Sequence, residues 1–309
     1  MKICVLGAGS LGCAIGGTLA EGGHEVWLVN RSLERVGAIA QNGLVMRTGE
    51  RERTVRVHAT THCAAVGEVD LVIVLVKSFH TRDAMQTAAP LVGSNTVVLS
   101  LQNGLGHEDV LSEFVPRAQI MLGKSYVGGQ LIGLNSVIAG TVDKENIIGE
   151  FDGVASPRAQ HIAAAFNGAG LRCEVSSNIL GVVWDKIFVN IATGALSGIT
   201  GLPYGDLYQI AEVEATAIAA VNEAMAVSRA AGIVTSFTDP KATWQKAGFG
   251  LPYTFKASML QSIEKGSVTE IEFINGAVVR AGKKFGVPTP INETLVACIK
   301  GIERRVCRG

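Results

Sequence analysis

The sequence predicts an α/β domain with a parallel, doubly wound sheet over residues 1–175, followed by an all-α domain over residues 176–309. Three observations predict this architecture. A chain of 309 residues exceeds what one hydrophobic core usually organises. Short β-branched runs alternate with helical stretches through the first half, which is typical of a parallel sheet. After residue 176 the strand signals stop and helical periodicity takes over.

Four apolar runs predict strands of the first domain, at residues 3–6, 25–29, 71–76 and 97–101. The third run, LVIVLV, is apolar at every position, which indicates a strand covered on both faces by helices. Between residues 119 and 150, Gly, Thr and Val residues alternate, so we expect extra strands or a hairpin there. A helix from about Pro157 and a last strand at residues 171–175 complete the domain.

Long helical segments are predicted for the second domain, at residues 179–191, 207–231, 256–264, 269–285 and 291–306. The turn sequences TGLPYG and FGVPTP separate successive helices. The sequence TEIE at residues 269–272 matches a capping box and predicts a helix start. Apolar patterning on segment 207–231 leaves room for a homodimer surface, although the oligomeric state does not follow from it.

Composition excludes several classes of partner. Lys and Arg number 27, as do Asp and Glu, so no net positive field attracts nucleic acid or an anionic membrane, and a small-molecule substrate is expected. The apolar runs fall short of a membrane span, and the first residues lack a secretory signal pattern, so we expect a cytoplasmic protein. Six cysteines without a C-x-x-C pair argue against a metal site or a disulfide scaffold.

A glycine-rich turn follows the first predicted strand and opens a helix. Gly7, Gly9 and Gly12 have the G-x-G-x-x-G spacing of Rossmann-type dinucleotide-binding domains, in which they allow a tight turn, an approach to the pyrophosphate and close helix packing. Glycines also recur in ordinary turns, which is the alternative. We expect the whole turn to bind the cofactor through Gly7, Ala8, Gly9, Ser10, Leu11 and Gly12.

The end of the second predicted strand indicates which dinucleotide binds. NAD(H) is usually held by an Asp or Glu on its ribose hydroxyls, and no acid stands at Asn30-Arg31. Arg31 can pair bidentately with a 2′-phosphate, and Asn30 and Ser32 offer further hydrogen bonds, which favours NADP(H). The alternative is a solvated surface arginine.

Two further loops leave carboxyl ends of strands, where open α/β sheets bind ligands. Lys77 lies in VKSFHT after the third strand, and Asn103 lies in QNGLG after the fourth. Lys77 has a snorkelling surface lysine as its alternative interpretation. Asn103-Gly104 has the alternative of a simple turn, because Asn-Gly is a turn dipeptide.

The candidate catalytic residue lies in the helical domain. Lys186 stands in the apolar sequence GVVWDKIFVN, with Asn190 one turn later on the same face. A partly desolvated lysine loses proton affinity, which suits it to polarise a carbonyl and donate a proton. The alternative is a Lys186–Asp185 pair on a solvated helix edge. Ser258 could hold a carboxylate, and Glu270, in the first turn of the capped helix, could act as cap or catalyst.

Taken together, the motifs GAGSLG, QNGLG, WDKIFVN, SMLQ, TEIEFING and GVPTPINETL resemble the ketopantoate reductase family over nearly the whole chain. The resemblance implies a Rossmann domain and a helical domain with cofactor and substrate in the cleft between them, and NADPH-dependent reduction of 2-dehydropantoate to D-pantoate. It implies that Lys186 is the general acid and that Asn190 and Ser258 contact the substrate. It places Glu270 at the junction of cofactor and substrate, and Asn103 facing both nicotinamide and substrate. It also implies that Lys77 and Arg31 contact the cofactor's phosphates and that Gly129 is a backbone contact of the cofactor.

Departures from the family pattern put the substrate in doubt. Gly194 stands where the family commonly has a second asparagine, a further asparagine is replaced near Tyr204, and Ser262 replaces a usual aspartate. Lost donors should weaken discrimination for a hydroxylated acid. One alternative is therefore a D-2-hydroxy-acid dehydrogenase acting on a bulkier 2-oxo acid. Another is a dinucleotide-binding sensor without catalysis.

Overall fold

The computed structural model describes residues 1–307, which form two compact units. Unit 1 comprises Met1–Gln102 and His107–Ile179, and unit 2 comprises Asn103–Gly106 and the chain from Leu180 onward. The division falls four residues beyond the predicted 175/176 boundary because Ile179 still packs on unit 1. A Cβ added at Gly149 would lie 2.9 Å from the Cβ of Ile179. The short loop 103–106 leaves unit 1 and belongs to unit 2.

Unit 1 contains twelve strands and five α-helices. The strands are β1 Lys2–Leu6, β2 Glu25–Val29, β3 Leu44–Thr48, β4 Arg51–Val55, β5 His58–Thr60, β6 Leu71–Val74, β7 Val97–Ser100, β8 Ile120–Ser125, β9 Gly128–Leu131, β10 Ser136–Gly140, β11 Glu145–Gly149 and β12 Arg172–Val175. The helices are α1 Ser10–Glu21, α2 Leu33–Asn42, α3 Thr81–Thr87, α4 His107–Leu111 and α5 Pro157–Gly168.

The large sheet of unit 1 has eight strands in the order β12-β11-β8-β7-β6-β1-β2-β5. Six of them, from β5 to β8, follow the 3-2-1-4-5-6 order of the Rossmann fold and are parallel, which confirms the predicted fold class. β11 is antiparallel to β8. The strand order reverses between β1 and β6, so the loops after these two strands open the crevice in which such sheets bind ligands.

A second sheet has its strands in the order β4-β3-β10-β9. The antiparallel pair β9 and β10 confirms the strands or hairpin expected between residues 119 and 150, whereas β3 and β4 were not predicted. It packs on the side of α1 that faces away from the large sheet. A Cβ at Gly16 would meet Leu28 and Val5 of the large sheet, whereas one at Gly17 would collide with Met46 of the second sheet. Small residues on two sides of α1 thus let one helix lie between two sheets. β4 has the sequence RERTV, and its three consecutive charged residues lack the apolar alternation by which a strand is recognised.

Unit 2 is helical throughout its described residues, as predicted. Its helices are α6 Ile179–Thr200, α7 Tyr204–Leu207, α8 Ala211–Ala230, α9 Pro240–Gly248, α10 Ser258–Glu264, α11 Asn275–Phe285 and α12 Pro290–Val306. By length and hydropathy α6 could cross a membrane, yet 61% of its most apolar window is buried inside the protein. Ile187, Phe188 and Ile191 of α6 are fully or almost fully buried, so this helix forms the core of unit 2.

The predicted capping box at residues 269–272 is wrong. Only a 3₁₀ turn, Ile271–Phe273, follows Thr269, and the helix α11 begins later, at Asn275. The Thr269 hydroxyl accepts a hydrogen bond from the Ile271 amide and donates one to the buried carboxylate of Glu303, at 2.6 Å. Glu303 on α12, distant in sequence, also accepts the Thr269 backbone amide at 2.7 Å, which is the donor that Glu272 would take in a capping box.

The sequence TPINETL has a structural role in unit 2. The buried Asn292 amide donates to the Ala220 carbonyl at 2.9 Å and to the Glu223 carboxylate at 2.7 Å. Its oxygen accepts a hydrogen bond from the Asn275 side chain at 3.0 Å. Glu223 also accepts the backbone amides of Ile291 and Asn292 in the first turn of α12. This network joins α8, α11 and α12.

We expect Asn292→Ala to lower the free energy of unfolding by about 3 kcal/mol or more, because it leaves several buried polar groups without their partner. Chemical denaturation monitored by circular dichroism measures the change. The matched control is Thr294→Ala on the exposed side of the same helix, which loses one hydroxyl bond to Pro290 and should change stability by about 0.5 kcal/mol or less. Equal stability losses in the two variants would contradict this role.

Candidate active site and dinucleotide-binding loops

The glycine turn after β1 has the geometry that a dinucleotide needs. Gly7 has a φ of 103°, and a Cβ there would lie 2.6 Å from the amide nitrogen of Val76, in the loop after β6. A Cβ at Gly12 would collide with the Gly7 carbonyl oxygen, whereas one at Gly9 would have open space around it. The turn therefore packs tightly on its inner side and leaves room outside, at the N-terminal end of α1.

That end of α1 suits a pyrophosphate. The helix begins at Ser10, and the N–H groups of a helix's first turn have no carbonyl partner within the helix, so they attract an anion. Gly129 on β9 lies against the same turn, since a Cβ there would be 2.5 Å from the Ser10 carbonyl oxygen. The residues present thus fit the phosphates of a dinucleotide. The individual cofactor contacts of residues 7–12 and Gly129 stay predictions.

Of the polar side chains at the end of β2, two form hydrogen bonds to nearby backbone and one is exposed. Asn30 donates to the Ala8 carbonyl at 2.8 Å and accepts the Ser32 amide at 2.9 Å, so it holds the glycine turn. The Ser32 hydroxyl caps α2 by accepting the Arg35 amide. Arg31 is exposed, and its Nη2 lies 3.0 Å from Nε2 of His80. Among Asn30, Arg31 and Ser32, the candidates for a 2′-phosphate contact, Arg31 is the one with an exposed charge.

The loop after β6 is held by a glutamine that the sequence analysis missed. Gln102, at the end of β7, donates through Nε2 to the Val76 carbonyl and to the Thr81 hydroxyl, both at 2.8 Å. These bonds flank the exposed Lys77 and the 3₁₀ turn Ser78–His80. Gln102 stands inside the QNGLG motif, so its place beside Asn103 was the available signal.

Lys186 is half-buried on α6, and burial lowers the pKa of its ammonium below the ordinary lysine value. The neighbouring Asp185 carboxylate accepts hydrogen bonds from the Ser236 amide at 3.0 Å, the Ser236 hydroxyl at 2.7 Å and the Phe237 amide at 3.2 Å. Asp185 thus anchors the segment after α8. This arrangement does not match the alternative of an ion pair on a solvated helix edge.

The face of α6 that carries Lys186 continues through Asn190 to Gly194. A Cβ at Gly194 would meet only the Met259 methyl group, at 3.7 Å, which is an ordinary contact. Met259 is the second residue of α10, so the N-terminal end of α10 packs near Gly194. Ser258, the first residue of α10, is exposed. Met259 thus lies on the face of α6 that carries Asn190, one turn further along the helix.

Tyr204, near which the family pattern places a further asparagine, has a buried hydroxyl bonded to the Thr193 hydroxyl at 2.7 Å. Burial raises the pKa of the Tyr204 phenol. The Tyr204 hydroxyl is thus bonded to Thr193, the residue before Gly194 on α6. This bond supplies a packing role for Tyr204.

The loop that carries Asn103 is fastened beside Glu270. The Leu105 amide donates to the Phe273 carbonyl at 2.8 Å, and the Glu270 carbonyl accepts the amides of Phe273 and Ile274. Glu270 precedes a 3₁₀ turn and does not lie in the first turn of a capped α-helix, so the cap interpretation of Glu270 is wrong. Asn103 is exposed and Glu270 is half-buried.

The predicted residues thus fall into two groups. Unit 1 holds the glycine turn, Arg31, Lys77 and Gly129, and unit 2 holds Asn103, Lys186, Asn190, Ser258 and Glu270. Within residues 1–307 no group of three or more His, Cys, Asp or Glu side chains is arranged to hold a metal ion.

Comparison with known families matches both units. Residues 3–153 match the family model described as ketopantoate reductase PanE/ApbA, and residues 178–303 match its C-terminal counterpart. A protein of Pyrococcus abyssi named 2-dehydropantoate 2-reductase is 32% identical over 98% of both chains. One of the same name from Halobacterium salinarum is 30% identical, over 98% of this chain and 99% of that protein.

Solved structures agree. A ketopantoate reductase of the PanE/ApbA family from Ralstonia eutropha superposes with a TM-score of 0.90 at 34% identity, covering 99% of both chains. A D-mandelate dehydrogenase in complex with NADH and anilino(oxo)acetate also has a TM-score of 0.90, at 27% identity and with 99% of both chains covered. The chain belongs to the ketopantoate reductase family, and it is an oxidoreductase whose cofactor is NADP(H).

Proposed function

We propose that this enzyme reduces 2-dehydropantoate to D-pantoate with NADPH and that Lys186 is the general acid. The observation that carries the proposal is the half-buried Lys186, whose pKa is lowered by burial, on the same face of α6 as Asn190. A lysine with reduced proton affinity donates its proton more readily to a developing alkoxide. The curated relatives named 2-dehydropantoate 2-reductase support the same reaction.

The roles of the side chains follow from their chemistry. NADPH, when bound, supplies the hydride for the keto carbon. The Nζ of Lys186 donates a proton to the keto oxygen as negative charge develops there, and solvent later returns a proton to the amine. Asn190 and Ser258 offer neutral hydrogen bonds to the substrate. Asn103 and Glu270, on segments fastened to each other, orient the reacting groups.

The glycine turn and the cofactor's phosphates form the other half of the proposal. The first-turn amides of α1 and the open space beside Gly9 receive the pyrophosphate. Arg31 and Lys77, both exposed at carboxyl ends of strands, supply positive charge for the remaining phosphate. Gly129 lets β9 approach this turn closely.

A second candidate is reduction of a bulkier, less hydroxylated 2-oxo acid. Gly194 favours it, because the missing side chain leaves space beside the apolar Met259 and removes an amide donor. The D-mandelate dehydrogenase of similar structure supports it too, since its ligand anilino(oxo)acetate is a 2-oxo acid derivative with an aromatic group. Both candidates share one reaction and differ in the group that lies over Gly194.

Steady-state kinetics on a panel of 2-oxo acids, with NADPH, tests both candidates. We expect the highest kcat/KM for 2-dehydropantoate, and negligible turnover of that acid beside good turnover of phenylglyoxylate would establish the second candidate instead.

In Gly194→Asn, an added donor should raise the preference for 2-dehydropantoate about tenfold, the effect of one hydrogen bond. The control Gly194→Ala adds a Cβ without a donor and should not. No turnover of any acid would indicate a non-catalytic sensor.

A further inference from the structure

His80 and Arg31 form a pair of nitrogen groups that the catalytic proposal leaves unused. Nη2 of Arg31 lies 3.0 Å from Nε2 of His80. A guanidinium has only donors and stays protonated, so Nε2 must be the acceptor and the imidazole is neutral in this arrangement. The pair therefore carries one positive charge. The imidazole can gain a proton and add a second charge when an anion lies between the two cations.

The surroundings of His80 hold the ring in place and oppose its protonation. His80 ends the 3₁₀ turn Ser78–His80, which Gln102 fixes through the Thr81 hydroxyl. The centroids of the His80 and Phe79 rings are 4.6 Å apart, with the rings in an edge-to-face arrangement. The pKa of His80 is lowered by burial first and by the charge of Arg31 second, while Asp83 on α3 raises it. Arg31 and Asp83 are the charged groups that act on the ring.

A phosphate against Arg31 reverses this balance. Two negative charges beside the guanidinium attract a proton to the neighbouring imidazole, and the protonated ring then donates Nε2–H to a phosphate oxygen. Lys77, exposed three residues before His80, offers a further positive charge for the same anion. A ligand without the 2′-phosphate supplies no such charge and leaves the ring neutral.

We infer that His80 is a second ligand of the 2′-phosphate of NADPH and takes up a proton when the cofactor binds; the inference rests on the proposed phosphate site at Arg31. It makes the preference for NADPH over NADH dependent on pH. The imidazole is more basic in the complex than in the free protein, so affinity for NADPH increases as pH falls through the range between those two ionisations. NADH affinity should stay level over this range.

The test measures dissociation constants of NADPH and NADH by fluorescence titration between about pH 6.5 and 8.5, above the second ionisation of a phosphate near about pH 6. We expect NADPH to bind wild-type protein about tenfold more tightly at the low end, and this gain should disappear in His80→Gln. His161→Gln, at an exposed histidine on α5, is the matched control and should keep the pH dependence. Calorimetry in two buffers of different ionisation enthalpy should show proton uptake with NADPH alone, lost in His80→Gln.

The measurements distinguish the role of His80 from the phosphate site at Arg31. A pH dependence and proton uptake that persist unchanged in His80→Gln overturn the role of His80 while leaving NADPH binding at Arg31 intact. Equal affinity of wild-type protein for NADPH and NADH at every pH overturns the phosphate site itself. Thermal unfolding of His80→Gln at the wild-type temperature shows that any lost pH dependence is a local effect.

Discussion

Lys186→Ala should lower kcat by about 100-fold or more while leaving the dissociation constant for NADPH unchanged. The change removes the proton donor for the keto oxygen, and loss of a general acid carries a penalty of this size. Pre-steady-state and steady-state kinetics with 2-dehydropantoate measure the rate, and fluorescence titration measures cofactor binding. An alanine variant with wild-type kcat would assign the proton donation to another group.

The pH profile gives a second measure of the same residue. Lys186 must be protonated to act, and burial places the pKa of its ammonium below the ordinary value of 10.5. Consequently kcat for reduction should fall as pH rises through that lowered pKa, and this alkaline decline should be missing in Lys186→Ala. The matched control is Lys283→Ala, at an exposed lysine in the last turn of α11, which should keep both the rate and the profile.

Arg31→Ala should weaken NADPH binding by about 10- to 100-fold and change NADH binding little. A guanidinium bonded to a phosphate contributes a charge-assisted hydrogen bond of about 1.5–3 kcal/mol, which corresponds to this range. NADH lacks the 2′-phosphate and so loses nothing of that contact. Titration of the purified variant with both cofactors at constant salt measures the difference.

The control for Arg31→Ala is Arg47→Ala, which removes an exposed positive charge from β3 of the same unit. It should leave the ratio of the two dissociation constants unchanged, because a distant surface charge is screened by salt. Equal losses for NADPH and NADH in Arg31→Ala would contradict a phosphate contact and would indicate a general effect on the end of β2.

Local patterns were sufficient for much of this protein. The buried strands β1, β6 and β7 are short apolar runs, and the turn of Gly7, Gly9 and Gly12 lies between a strand and a helix, so chain neighbours alone indicate a dinucleotide site. The placement of Lys186 and Asn190 on one face of α6 follows from the helical repeat. The family motifs at both ends of the chain agree with the family shown by comparison.

Contacts between residues distant in sequence decided the rest. Thr269 forms no capping box because Glu303, and not Glu272, accepts its backbone amide. Asn292 joins three helices through its bonds to Ala220, Glu223 and Asn275. The contact of His80 with Arg31 also depends on the fold, because it joins the ends of β6 and β2. Periodicity and turn residues report only on neighbours along the chain, so the sequence by itself determined most of the elements and a dinucleotide cofactor, but missed β3 and β4 of the second sheet. Only tertiary packing decided which side chains share a hydrogen bond.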